Sequence, residues 1–126
     1  MNLTYLSLLV AGVLPVVCAV IAKLGLKNFD NHNPRDWLAR QVGFRARANA
    51  AQANSYEAFP FFAAGLLLAL HAGVNPATVE QLSLAFVLAR VAYIVCYVAN
   101  WATLRSFVWL AGYGCVIGLY IGALRA

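Results

Sequence analysis

Three polar residues stand at the start of a long apolar run and could form one binding surface. Arg47, Asn54 and Glu57 precede a stretch, 58–79, that contains no charged residue. At about 100° per residue along a helix, Asn54 lies about 20° and Glu57 about 80° from Arg47, so the three side chains share one side. A carboxylate inside a membrane helix costs roughly 2.5–3.5 kcal/mol and is tolerated mainly where it faces a partner or a pocket. This face is therefore the first candidate for binding or catalysis.

A second polar face follows in the next apolar run. Arg90, Tyr93, Tyr97 and Asn100 are spaced i, i+3, i+7, i+10, which places them within about 80° on a helix. If the two helices are antiparallel neighbours, the long side chain of Arg90 can reach the depth of Glu57 and pair with it. Such a pair could belong to a site, or it could only fix how the two helices dock.

Most of these polar groups are expected near the cytoplasmic ends of their helices, where Arg105 also lies. Arginines at helix ends are equally compatible with holding lipid headgroups. The hydroxyl groups of Tyr93 and Tyr97, however, need partners or a ligand if they face inward beside Arg90. A cationic, hydroxyl-lined pocket with a flank open to lipid would suit a water-soluble anion that meets a hydrophobic molecule.

The composition is that of a membrane protein. Of 126 residues, 63% are hydrophobic and 10% are charged, against about a quarter charged in an average globular protein. Four apolar segments, approximately 3–24, 48–72, 78–102 and 106–124, are long enough to cross a bilayer, which takes about 20 helical residues. They occupy nearly the whole chain. The sequence therefore predicts one domain, 1–126, folded as an all-α bundle of four transmembrane helices.

The net charge of +5 is concentrated in one loop. Between residues 23 and 47 the sequence has six basic and two acidic residues, which by the positive-inside rule predicts a cytoplasmic loop and places both termini on the non-cytoplasmic side. Within it, Asn33 and Pro34 predict the start of a short interfacial helix, with Trp37 at headgroup depth. No soluble basic face remains for a nucleic acid partner.

Other residues that could carry chemistry favour structural interpretations. Cys18, Cys96 and Cys115 lie in apolar segments without a CxxC pair, as expected of small buried hydrophobes. The two histidines lie far apart, so no metal site is expected. The last segment has glycines at four-residue spacing, which predicts a ridge for close helix packing at Gly114, Gly118 and Gly122.

Taken together, these motifs resemble a known family. The pattern Ala51-Gln52-x-Asn54-x-x-Glu57-x-x-Pro60, followed by Arg90-x-x-Tyr93-x-x-x-Tyr97 and then Arg105, is similar to the membrane-associated proteins in eicosanoid and glutathione metabolism (MAPEG), and most to the bacterial branch of that family. The resemblance covers nearly the whole chain.

The resemblance implies a homotrimer of four-helix protomers with glutathione held between subunits near the cytoplasmic face. Asn54 and Glu57 would bind glutathione, and Glu57 would also pair with Arg90. Tyr93 and Tyr97 would line the same site. The catalytic residue would be Arg105, which would stabilise the glutathione thiolate. Catalytic members usually have an arginine where this chain has Ala50, and Arg47, one turn earlier, is expected to bind glutathione in its place.

The function implied is that of a glutathione-transferase-like protein of the bacterial inner membrane, conjugating or reducing a lipophilic electrophile or peroxide. Ala50 favours an alternative, a non-catalytic lipid-binding or scaffold protein of the same fold. A small four-helix exporter is a further alternative, although such exporters tend to carry a carboxylate in their first helix and residues 3–22 have none.

Overall fold

The computed structural model describes residues 2–26 and 28–126; Met1 and Lys27, one of the six basic residues of the loop, lie outside the described residues. The predicted all-helical fold is confirmed. The described residues form five helices: α1 (Asn2–Lys23), α2 (Pro34–Ala39), α3 (Phe44–His71), α4 (Pro76–Val98) and α5 (Ala102–Arg125).

Three helices, α1, α4 and α5, are long and apolar enough to cross a membrane by length and composition. The fourth long helix, α3, has 28 residues but is not among them. Its first half carries Arg45, Arg47, Asn54 and Glu57, which lower its average apolarity. Because of these polar residues, length and composition alone do not identify α3 as a membrane-spanning helix.

The helices differ by about a turn from the predicted membrane spans. α3 begins at Phe44, four residues before the span that starts at 48, because Gly43, with φ of +67°, makes the sharp entry that a glycine allows. α4 ends at Val98, and α5 begins at Ala102 rather than 106. Arg105 thus belongs to the first turn of α5.

The turn between α4 and α5 is a Schellman motif. Asn100 N donates to the carbonyl of Tyr97, and Trp101 N donates to the carbonyl of Cys96. Asn100 has φ of +63°, a left-handed conformation that asparagine tolerates better than most residues. This reversal returns the chain alongside the end of α4 and brings Arg105 close to Tyr97.

Two arginines at the start of α3 bind the last turns of two other helices. Arg45 Nη1 donates to the carbonyl of Ala22 at 3.0 Å, and Arg47 Nε donates to the carbonyl of Val98 at 3.1 Å. Carbonyls at a helix C-terminus lack partners within the helix and attract cations. The ends of α1 and α4 are thereby fixed to the beginning of α3. We call this end of the bundle, where Arg105 also lies, the arginine end.

The core follows one stripe of α3. Its buried residues recur at three- and four-residue spacing: Ala48, Ala51, Ser55, Phe62, Gly65, Leu66 and Ala69. Phe62 stacks on Phe86 of α4 at 4.0 Å between ring centroids. Cys18 and Cys96 are buried free thiols, as predicted, and Cys115 is half-buried.

The predicted glycine ridge of α5 is confirmed at two of its three positions. A Cβ at Gly118 would lie 3.3 Å from Leu82, and one at Gly122 would lie 3.3 Å from Val74. Around Gly114, by contrast, there is open space. The close approach between α5 and its neighbours within the protomer therefore does not involve Gly114.

The predicted interfacial helix is α2, six residues long with Pro34 in its first turn. Asn33 occupies the N-cap position, but its side chain does not cap the helix and instead donates to Asp30. Trp37 is only 5% exposed and packs edge-on against Phe29. Trp37 also lies in one buried cluster with Ala22 of α1 and Ala48 of α3, and so anchors α2 to the bundle.

Candidate functional site

A continuous series of cations and aromatic rings runs along α4 towards the arginine end. The guanidinium of Arg90 lies 4.3 Å from the ring centroid of Tyr93, Tyr93 meets Tyr97 edge to face at 5.6 Å, and the guanidinium of Arg105 lies 4.2 Å from the Tyr97 ring. Such cation–π contacts are stronger where water is excluded. The second predicted face is therefore confirmed from Arg90 to Tyr97, whereas Asn100 is exposed in the turn after α4.

Arg90 is 4% exposed, and its hydrogen-bond partner is Ser55. Nη2 of Arg90 donates to Oγ of Ser55 at 3.3 Å, and that hydroxyl donates to the carbonyl of Ala51 at 2.8 Å. Glu57 lies close enough to Arg90 to interact with its charge, but the contacts among the described residues include no direct ion pair between them. The carboxylate of Glu57 is instead at an exposed position on α3.

One cavity, which we call the aromatic cavity, lies between α3, α4 and α5 and has a volume of about 200 Å³. Helix α3 contributes Asn54, Glu57, Ala58 and Phe61 to its lining. Helix α4 contributes Phe86 and Arg90, and α5 contributes Trp109, Tyr113 and Val116. It therefore combines an apolar, largely aromatic wall with three polar side chains.

A second cavity, the Arg105 cavity, lies nearer the arginine end and is more open, with a volume of about 390 Å³. Asn54, Tyr93 and Arg105 line it together with Ser106, Trp109 and Leu110. Asn54 and Trp109 are common to both cavities. The two spaces thus meet at these side chains.

Asn54 carries a buried acceptor without a partner. Its Oδ1 atom is inaccessible to solvent and accepts no hydrogen bond from any described residue. A buried amide oxygen left unpaired costs free energy, about 1–3 kcal/mol, so a rotation of the Asn54 side chain that brings this oxygen to a ligand N–H or O–H group in either cavity would be favourable.

The structure brings most, but not all, of the predicted site residues together. Asn54, Tyr93 and Arg105 share one cavity, and Asn54, Glu57 and Arg90 share the other. Tyr97 is half-buried beneath Arg105. Arg47 lines neither cavity, because it is bound to the end of α4. Its expected substitution for an arginine at position 50 therefore has no support from this geometry.

Ala50 lies in the wall of a different cavity. This third space, of about 540 Å³, is open and lies along the outside of α3 beside α2. Its polar lining residues are Arg35, Gln41, Asn49, Gln52 and Tyr56. The chain thus presents a polar groove on this side of α3 and the Arg105 cavity elsewhere on its surface.

Sequence reasoning missed Ser55 and the aromatic residues of α5. Ser55 adjoins Asn54 in sequence but points about 100° away from it, towards the buried stripe of α3. Trp109, Tyr113 and Val116 are spaced i, i+4, i+7, a pattern that marks one helix face and could have revealed this wall. The prediction for this segment rests on its glycines instead and does not consider its aromatic residues.

The residues present fit glutathione in their chemistry. Glutathione has two carboxylates, which guanidinium groups bind well, and amide and ammonium donors, which would satisfy the unpaired Asn54 oxygen. Glu57, exposed beside this oxygen, offers a further acceptor for a cationic amine. When bound here, glutathione would supply a thiol to the site.

Comparison with known proteins identifies the family. Neither the curated proteins nor the solved structures gave a match. The model of the MAPEG family matches residues 3–125. That family comprises four-helix membrane bundles and includes membrane glutathione transferases, peroxidases and related proteins. The chain is an integral membrane protein with long apolar helices. It therefore belongs to the MAPEG family.

Proposed function

We propose that this protein is a membrane glutathione transferase or peroxidase that acts, as a homotrimer, on a lipophilic electrophile or peroxide. Arg105 stabilises the thiolate, Asn54 and Glu57 bind the peptide part of glutathione, and Arg90, Tyr93 and Tyr97 line the site. The binding site opens towards the cytoplasm. Family membership supports the general activity, and the geometry below supports the assignment of residues.

The observation that carries the proposal is the position of Arg105. Its guanidinium rests on the ring of Tyr97 and lines the same cavity as Asn54 and Tyr93. Stacking on Tyr97 favours this orientation of the guanidinium and so keeps its charge beside the cavity. Fixed charge aimed at the reacting atom is the most effective form of electrostatic stabilisation.

The chemical requirement is modest. A free thiol has a pKa of about 8.5 and is mostly protonated at neutral pH, whereas the thiolate is the nucleophile. A nearby guanidinium favours the thiolate, and each pKa unit gained corresponds to about 1.36 kcal/mol. Positioning by Asn54 and Glu57, together with the charge of Arg105, is then enough, without a general base.

The exposed carboxylate of Glu57 supports assembly. It projects from a helix whose following residues, 58–70, contain no charge. Facing lipid there would be costly. A neighbouring protomer that covers this face, with glutathione between the subunits, would remove that cost. Native mass spectrometry should then detect three copies of the 13.6 kDa chain.

The deciding experiment is a glutathione titration that follows the ultraviolet absorbance of the thiolate. The wild-type protein should give a saturable thiolate signal at neutral pH. Arg105→Ala should lose most of this signal, whereas Arg125→Ala, at the exposed end of α5, should keep it. An undiminished signal in Arg105→Ala would remove this residue from the proposed role.

One observation favours a second function, that of a non-catalytic lipid-binding or scaffold protein of the same family. Ala50 takes the place of an arginine, and Arg47 is engaged with the carbonyl of Val98. If the missing cation is essential for glutathione, calorimetry of the purified protein with glutathione will show no saturable heat. That result would favour the scaffold function.

A further inference from the structure

A small cavity, which we call the α1 cavity, adjoins Arg90 and has a volume of about 10 Å³. Helix α1 contributes Ala11 and Leu14 to its lining, and α3 contributes Ser55. The aromatic cavity is bounded by α5 instead of α1. Arg90 lines both spaces, and the α1 cavity is a separate space on the α1 side of this arginine.

The volume of the α1 cavity is that of a site for a single water molecule. A buried water requires roughly 10–15 Å³ and about two to four polar partners. An engineered cavity that holds benzene measures about 150 Å³, so the α1 cavity, at about 10 Å³, excludes glutathione and any ring compound. Whether it binds water therefore depends on the polar groups around it.

The first polar partner is the guanidinium of Arg90, which is buried and carries five N–H donors. Its hydrogen bond to Ser55, the partner it has among the described residues, uses a single nitrogen, Nη2. N–H groups of a buried charge that find no acceptor cost free energy, and more so than those of a neutral group. A water in the α1 cavity would accept from one of the other N–H groups.

The second partner is a backbone carbonyl that Pro15 deprives of its usual donor. In an α-helix the carbonyl of residue i accepts from the N–H of residue i+4, so the carbonyl of Ala11 would normally bond to residue 15. Proline has no N–H. Pro15 is buried together with Ala11 and Leu14 on α1, and both of these neighbours line the cavity. A residue in the cavity wall thus has a carbonyl without its helical donor.

The third partner is the hydroxyl of Ser55. It donates its hydrogen to the carbonyl of Ala51 at 2.8 Å, and its oxygen accepts from Arg90 at 3.3 Å. A hydroxyl oxygen has two acceptor positions. Arg90 takes one of them, and an O–H group of a water in the α1 cavity can take the other.

We propose that the α1 cavity binds one water molecule, which accepts from Arg90 and donates to the carbonyl of Ala11 and to the hydroxyl of Ser55. The water links α1 to the buried guanidinium, so that Arg90 is held by α1 as well as by α3. Water suits the site better than an anion, because two of the three partners are acceptors and an anion has no hydrogen to donate. The inference does not rest on the proposed function.

The bound water can be detected by NMR, as magnetisation transfer from water to nearby methyl groups. The sample is the full protein with protonated alanine and leucine methyl groups, deuterated elsewhere, in deuterated detergent and without glutathione. Ala11 and Leu14 should receive magnetisation from water, whereas Ala69, which is buried outside the α1 cavity, should not. Absence of transfer to both Ala11 and Leu14 would overturn the proposal.

A filled cavity separates the bound water from exchangeable protons of the protein itself. Ser55 and Arg90 exchange protons with water and could relay magnetisation to Leu14. Ala11→Val adds two methyl groups to the cavity wall and should displace the water, so transfer to Leu14 should be lost although both polar side chains remain. Ala64→Val, at an exposed position of α3, should keep the transfer. Undiminished transfer in Ala11→Val would indicate a relay and refute the site.

Pro15→Ala tests the backbone partner and stays informative if Ala11→Val fails to fold. It restores an N–H to the carbonyl of Ala11, so the water loses an acceptor and transfer to Leu14 should fall. Pro60→Ala restores an N–H at an exposed position of α3 and is the control. Equal transfer in both variants would contradict the role of this carbonyl. Since no glutathione is present, failure of this site leaves the proposed function intact, and failure of glutathione to bind leaves this site intact.

Discussion

Arg90 and Ser55 join α4 to α3 in the middle of the bundle through a 3.3 Å hydrogen bond between Nη2 and Oγ. Because the hydroxyl also donates to the carbonyl of Ala51, its orientation is fixed by a contact within α3, and its oxygen is left to accept from Arg90. This leaves the carboxylate of Glu57 available to a ligand or a neighbouring subunit. A direct pair between Glu57 and Arg90 would have occupied it.

Ser55→Ala tests this arrangement. The substitution leaves an N–H group of a buried guanidinium without its acceptor, so the free energy of unfolding should fall by about 1–3 kcal/mol. Unfolding in mixed detergent measures the change. Ser106→Ala removes an exposed hydroxyl with only a local bond and should have little effect. Equal stability of the two variants would show that Ser55 is dispensable to Arg90.

The attachment of α4 to the start of α3 gives a second prediction. Arg47→Met retains much of the aliphatic side chain but loses the hydrogen bond to Val98. Bonds to a charged group contribute about 1.5–3 kcal/mol, so the melting temperature should fall by several degrees. Arg40→Met, at an exposed position after α2, is the control. The contact would be unimportant if both variants melted like the wild type.

Close packing of α3 against α5 is tested at Gly65. A Cβ there would lie 2.7 Å from the ring of Tyr120, whose hydroxyl donates to the carbonyl of Phe61. Gly65→Ala should therefore displace Tyr120 and lower the melting temperature markedly. Gly114→Ala adds the same methyl group in open space and should be tolerated. The opposite order of melting temperatures would contradict this packing.

The loop before α2 should respond to acid through Asp30. The backbone N–H of His32 donates to its carboxylate at 2.9 Å, and with the nearby Asn33 side chain this holds the pKa of Asp30 below its ordinary value. Since the folded-state pKa is the lower one, the turn keeps its full stabilisation above the unfolded-state pKa of about 3.9. It loses this as pH falls through the folded-state pKa.

Hydrogen exchange of the His32 amide provides the measurement for Asp30. Protection at this amide should decline only below the ordinary titration range of an aspartate. In Asp30→Asn, which cannot titrate, protection should be independent of pH in that range after correction for intrinsic exchange. A wild-type midpoint at or above the ordinary value would contradict a stabilised carboxylate.

The sequence alone predicted the long helices and most of the site for clear physical reasons. Apolar length identifies membrane helices, and angular spacing placed Arg90 and Tyr93 on one face, as the cation–π contact confirms. The functional roles of Asn54, Glu57 and Arg105 stay predictions, although these residues line the two cavities.

Other features depend on contacts and turn conformations that the spacing of residues in the sequence does not predict. Opposite charge predicts Glu57 as the partner of Arg90, but the buried guanidinium hydrogen-bonds to Ser55, which lies on the buried stripe of α3, whereas Glu57 is exposed. α4 ends four residues before the predicted span that reaches 102, because Asn100 adopts a left-handed conformation although the apolar run continues. Arg47 illustrates a third limit, because the carbonyl that binds it is a backbone group 51 residues away.

The Schellman turn at Asn100 divides the stacked pair between two helices, with Tyr97 on α4 and Arg105 on α5. Transmembrane helices change their tilt when the thickness of the surrounding hydrocarbon changes. A differential tilt of α4 and α5 would alter the separation between the ring of Tyr97 and the guanidinium of Arg105. The length of the surrounding lipid chains is thereby a physical input to this contact, exerted through a turn of three residues.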